Sequence, residues 1–148
     1  MVRNPPVESP ISQLSLPRLY ALRAAYLLLV VGLGLIVWPR ILHHEPWALM
    51  QGVVQCMLGA LSALAILGLR HPVRMIPLLV FEVAWKAIWL SAVALPLLAQ
   101  GRLEGGELAT AYECLVAVFM VAAIPWRHVL AGIAAPGDPW RRARTAPR

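Results

Sequence analysis

Apolar residues in this chain neither alternate nor recur as isolated stripes; they run in long blocks separated by short polar punctuation. The blocks at 19–38 (LYALRAAYLLLVVGLGLIVW), 48–69, 75–100 and 108–124 approach or exceed the roughly 20 residues that a helix rising about 1.5 Å per residue needs to cross a hydrocarbon layer. Tyr20 and Trp38 flank the first block as an interfacial aromatic belt requires, Pro39 closes it, and Pro125 and Trp126 close the fourth. The links RILHHEPW, RHPVR and GRLEGGE are short, so consecutive helices must be antiparallel neighbours. The pattern therefore predicts an all-α fold, an up-down-up-down bundle of four transmembrane helices. Residues 1–17, with Pro5, Pro6, Pro10 and Pro17 among polar neighbours, read as a disordered tail. Residues 18–126 form the membrane domain, and 127–148 an interfacial segment, RHVLAGIAA, followed by a basic tail.

Composition agrees. The 148 residues are 60% hydrophobic with a mean hydropathy of +0.71, against about 45–50% apolar content in soluble domains. Thirteen Lys and Arg outnumber seven Asp and Glu, and the resulting pI of about 10.4 raises the question of nucleic acid. Membrane topology accounts for the charge instead. Arg3, Arg18, Arg70, Arg74, Arg127 and the tail residues Arg141, Arg142, Arg144 and Arg148 fall on one side, leaving Arg40 and Arg102 on the other. Because basic residues in short loops stay on the cytoplasmic side, both termini are expected there, in a bacterial inner (cytoplasmic) membrane, with the tail against anionic lipids. The first block ends in VWPRIL rather than a small-residue cleavage site and so reads as a retained anchor.

The third block, MIPLLVFEVAWKAIWLSAVALPLLAQ, carries the chemistry that stands out. Glu82, Trp85, Lys86 and Trp89 follow the i, i+3, i+4, i+7 spacing of one helical face. Counted from Met75, Glu82 lies about 10 Å deep and Lys86 about 16 Å deep, near the bilayer midplane. An ionisable group there is costly unless paired or solvated and marks a functional-site hypothesis. Arg23 in the first block enters from the same side at a depth of about 7 Å, so an Arg23–Glu82 pair between helices is expected, with Glu82 also reaching Lys86. Such a cluster serves equally as a lock between helices or as a proton or substrate site; Arg23 could also snorkel to the headgroups.

Other polar positions carry less. Gln51, Gln55, Gly59 and Ser62 form one stripe of the second block, suited to close inward packing, as Gly32 and Gly34 are in the first. Glu113, beside Tyr112 and Cys114, is either an interfacial carboxylate or a partner for Lys86 or Gln55. Cys56 and Cys114 have similar depths; they are small packed residues or a quinone-linked thiol pair, the latter requiring Cα atoms within about 7 Å. His43-His44-Glu45 reads as a polar turn in preference to a metal or pH-switch site, and His71 and His128 as residues at helix ends in preference to haem ligands. No metal site, phosphate loop or nucleophile elbow is present in the sequence.

Total length, four spans, an early Arg23 followed by Gly32 and Gly34, and the membrane-embedded Glu82 together resemble the small bacterial four-helix proteins of the DoxX-like group. That resemblance implies a membrane subunit, in some members of a quinone-coupled oxidoreductase, although Trp85-Lys86 and the basic tail depart from it. Three expectations follow: an accessory or interaction subunit, homo-oligomeric or bound to a membrane partner, whose charges fix helix register; a small-molecule or proton-coupled carrier using Glu82, Lys86 and Arg23, with a polar cavity; and a redox subunit with Cys56 and Cys114 in contact or a quinone slot beside Trp85 and Trp89. None of them requires a cofactor except the last, and a non-enzymatic role is favoured.

Overall fold

Where the sequence places apolar blocks, the chain is helical. The computed structural model describes residues 14–43 and 46–135. Four helices in it are long and apolar enough to cross a membrane: α1 (Leu16–Leu42), α2 (Leu49–Arg70), α3 (Ile76–Ala99) and α4 (Gly105–Ala123). A fifth, α5 (Trp126–Ala134), follows α4 after Pro125. The chain is thus an all-α four-helix bundle with the character of a multi-pass membrane protein. Two boundaries differ from expectation. Pro17 lies in the first turn of α1 instead of a preceding tail, a position where its missing N–H costs nothing. Pro39 does not close α1: the helix continues to Leu42, and the His43 N–H donates to the Pro39 carbonyl at 2.9 Å, so only one ladder bond is lost near the helix end. The basic tail from residue 136, the expected disorder of 1–13, and His44 and Glu45 lie outside the described residues.

The helices pack as a closed ring in which α1 meets α2 most extensively, α2 meets α3, α3 meets α4, and α4 returns to α1. The apolar core occupies one end of that ring. Leu22, Ala25, Tyr26 and Leu29 of α1, Leu61 and Ala65 of α2, Ile76 and Leu79 of α3, and Met120, Ala123 and Ile124 form one buried cluster. These residues come from the start of α1 and α3 and the end of α2 and α4, as antiparallel order requires. At the centre of the cluster the Tyr26 hydroxyl donates to the Pro72 carbonyl at 2.9 Å, tying α1 to the α2–α3 link. The ring lies so close to Gly68 that a Cβ there would stand 2.3 Å from the Tyr26 ring. Only glycine admits this approach.

Toward the other end the helices are less regular. Pro96 has no N–H to give the ladder, and immediately before it Leu90–Ala94 widens into a π turn, in which the Leu95 N–H reaches back to Leu90. Past the proline, α3 stops with the Arg102 N–H on the Leu97 carbonyl at 2.9 Å and the Gly101 N–H on the Leu98 carbonyl at 3.0 Å. This paired arrangement needs a left-handed residue, supplied by Gly101 at φ +65°. In α4 the ladder tightens instead, with i+3 bonds from Leu115 to Tyr112 and from Val118 to Leu115, both 3.0 Å. Where Pro125 leaves the Val121 carbonyl without its usual donor, the Trp126 indole N–H supplies one at 2.8 Å.

Gly68→Ala is expected to lower stability by about 1–3 kcal/mol, the usual cost of overpacking a filled core. Tyr26→Phe, which removes only the buried hydrogen bond, should cost about 1 kcal/mol. Thermal unfolding of the detergent-solubilised protein would measure both, and a Gly68→Ala protein as stable as the parent would show that the Tyr26 contact is slack.

Candidate functional site

The buried charges among the described residues belong to α3. Leu79, Glu82 and Lys86 continue the inward stripe that begins at Ile76, which carries two charges from the dry core toward the middle of the bundle. Glu82 is 1% exposed and Lys86 7%. The Lys86 ammonium donates to Glu82 Oε1, and the Trp85 indole N–H donates to Glu82 Oε2 at 2.6 Å. Both carboxylate oxygens are therefore satisfied by residues three and four positions along the same helix. The Lys86 Nζ also stands 4.9 Å from the centroid of the Trp85 ring, within cation–π range. The triad is neutral overall and complete within one helix.

The expected Arg23–Glu82 pair does not form. Arg23 is exposed, and the ion pair found among the described residues is Glu82–Lys86. Leu22, Ala25, Tyr26 and Leu29 hold the inward face of α1, which turns Arg23 outward with Tyr20 and Leu27. A consequence is that the buried charges cannot fix one helix against another, because neither partner lies on a second helix.

Lys86 and Trp85 form one wall of a cavity of about 230 Å³. Leu29, Gly32 and Ile36 of α1, Leu58 of α2, and Thr110, Glu113 and Cys114 of α4 complete the polar and apolar lining that matters. The space exists because α1 packs mainly on the second half of α4, whereas the first half of α4 leans on the π turn of α3. A primary ammonium carries three N–H donors. Among the described residues Glu82 is the hydrogen-bond acceptor that Lys86 meets, which leaves donors for an occupant of the cavity. Glu113 is exposed at the opposite wall, at the mouth. Its distance from Lys86 is spanned by the cavity, not by an ion pair.

Gln55 is buried in α2 one turn from Leu58, and its Oε1 has no hydrogen-bond partner among the described residues. It does not reach Glu113. Ser62, further along the same stripe, is also buried, whereas Gln51 is exposed. Trp89 is half-buried and, unlike Trp85, does not line this cavity. The thiols do not meet either. Cys114 is buried at the cavity, whereas Cys56 is exposed and lines a shallow apolar groove with Trp47 and Met57, and both are free. His71 and His128 line separate grooves, and among the described residues no three His, Cys, Asp or Glu gather as metal ligands would.

Sequence reasoning passed over Thr110 and the apolar lining residues Leu29, Ile36 and Leu58, and treated Gly32 as packing alone. For Thr110 a signal was available: Thr110, Glu113, Cys114 and Ala117 recur at i, i+3, i+4 and i+7, one polar-edged face of α4. No family model, curated protein or solved structure matches this chain.

Lys86→Met leaves a buried carboxylate short of its cation, and a loss of about 3–5 kcal/mol is expected, as for buried pairs stripped of one member. Glu82→Gln together with Lys86→Met should be far less damaging than the sum of the single changes. Unfolding of the four proteins in one detergent closes this double-mutant cycle; strict additivity would dissolve the pair.

Proposed function

We propose that this protein is a small-molecule carrier of a bacterial inner membrane, with a mid-membrane site built on Lys86. The observation that supports the reading is the cavity that ends on a buried ammonium with donors to spare. Its occupant would be small and largely apolar, with one acceptor or acidic group directed at Lys86 and the apolar part against Leu29, Gly32, Ile36 and Leu58. Glu82 holds the ammonium in place and keeps the empty site neutral. Glu113 at the mouth, together with Lys86 and Glu82, offers a route by which a proton could accompany the ligand. The tightened turn of α4 at Leu115, between the lining residues Cys114 and Val116, favours a site that changes shape, since such turns recur where helices flex in function. The arginine asymmetry supports cytoplasmic termini, which puts the cavity mouth in the outer half of the membrane.

A purely structural lock is less well supported, because the ion pair is intrahelical. The role of an interaction subunit, DoxX-like or otherwise, rests on architecture and assigns no task to the cavity.

Gly32 gives a test that leaves the charges alone. A Cβ there meets nothing within 4 Å, so Gly32→Val introduces its side chain from open space at the cavity lining, narrows the cavity and should leave the protein folded. With hexanoate as probe, saturation-transfer NMR on the detergent-solubilised protein should show binding to the parent, and binding at least tenfold weaker to Gly32→Val and Lys86→Met. Equal binding to all three, or none to the parent, overturns the reading.

A further inference from the structure

The basic residues at the packed end of the bundle are not spread evenly over it. Arg23 from α1, Arg70 at the end of α2, and His71 and Arg74 from the α2–α3 link converge on one concavity of about 210 Å³, backed by Leu19 and Pro72. No carboxylate answers them among the described residues. Glu82 is held by Lys86 and Trp85, and Glu104, Glu107 and Glu113 belong to the half of the bundle beyond it. Arg23, Arg70 and Arg74 are all exposed, so water screens their mutual repulsion, and an anion shared among them would relieve what remains of it.

The concavity is also held in shape. Pro72, which backs it, is buried, and its carbonyl is fixed by the Tyr26 hydroxyl at 2.9 Å. The link is braced by the His71 N–H on Leu67 at 2.8 Å and the Met75 N–H on His71 at 3.2 Å. Arg70 and Arg74 therefore project from a rigid turn, and a preorganised fork of donors suits the planar, bidentate geometry with which arginine grips phosphate. On α1, Arg23 shares its outward face with Tyr20 and Leu27, both exposed and apolar, at i−3 and i+4. An acyl chain whose phosphate sits on Arg23 would run down this face.

We propose that the concavity binds the phosphate of an anionic membrane lipid, with Arg23, Arg70 and Arg74 as the phosphate ligands and Tyr26 as the residue that positions the link. The site is independent of the cavity at Lys86 and requires only that the helices cross a membrane.

Native mass spectrometry of the full chain, in detergent with equimolar phosphatidylglycerol and phosphatidylcholine, reads the preference directly. The parent should retain phosphatidylglycerol over phosphatidylcholine. The R23Q/R70Q/R74Q variant should lose that preference, by about fivefold per arginine. R141Q/R142Q/R144Q/R148Q, which neutralises the tail, should keep it, and Tyr26→Phe should weaken it with every charge in place. If the triple variant fails to give a monodisperse gel-filtration peak, the single R74Q variant is read in its place against the same fivefold expectation. A preference that survives loss of the three arginines, that vanishes with the tail, or that is absent from the parent overturns the proposal. So does displacement of the lipid by millimolar inorganic phosphate, which would make free phosphate the ligand.

Discussion

A carboxylate halfway along a membrane helix has no water to turn to, and each of its oxygens must find a donor in the protein. Glu82 finds both on its own helix, Lys86 one turn on and Trp85 beside it. Much else depends on that closure. Since the charges cancel within α3, α1 is free to present apolar residues to the interior and to send Arg23 outward. Since Lys86 meets its counter-charge on its own helix, it can line the cavity without an ion pair to α4.

The two ends of the bundle are built on different principles. At one end, Tyr26 lies on Gly68 and is bonded to Pro72, with Leu22, Leu79, Met120 and Ile124 packed around it, and side-chain volume is used fully. At the other, the first half of α4 leans on α3 and away from α1, and the space between is lined by Gly32, Thr110 and Glu113. A rigid base with a looser upper half is what a binding site inside a bundle requires, because only one part must stay fixed while the other accommodates a guest. The same rigid base shapes the arginine concavity on its outer surface.

The fold was legible because hydrocarbon imposes length: four apolar blocks of that size admit few other arrangements. The site was legible in part. Spacing alone put Glu82, Trp85 and Lys86 on one face, where they are found together. The Arg23–Glu82 pair failed because rise per residue fixes height in the membrane and says nothing of azimuth. Leu, Val and Ala surround α1 on every side, so no apolar stripe distinguishes its inward face, and only packing shows that Leu22, Ala25, Tyr26 and Leu29 point in. Cys56 and Cys114 illustrate the same blindness: matched heights, but one faces the outer groove and the other the interior. The cavity could not be read from sequence at all, since it arises from how two helices diverge.

The π turn in α3 shuffles the phase of the helix. From Ile76 through Leu79 and Glu82 to Lys86 the buried positions keep helical time, and a regular continuation would bring Val93 inward. Instead Val93 is 36% exposed and Ala94 6%, because the turn holds one residue more than a regular one. Ala94 thus takes the inward place that Val93 would otherwise hold, and both parts of α3 keep their contact with α4. A single added residue lets one continuous helix pack on the second half of α4 before the turn and on the first half of α4 at it. Deleting any residue of Leu90–Ala94 would restore a regular helix and rotate the portion of α3 beyond the turn out of register with α4.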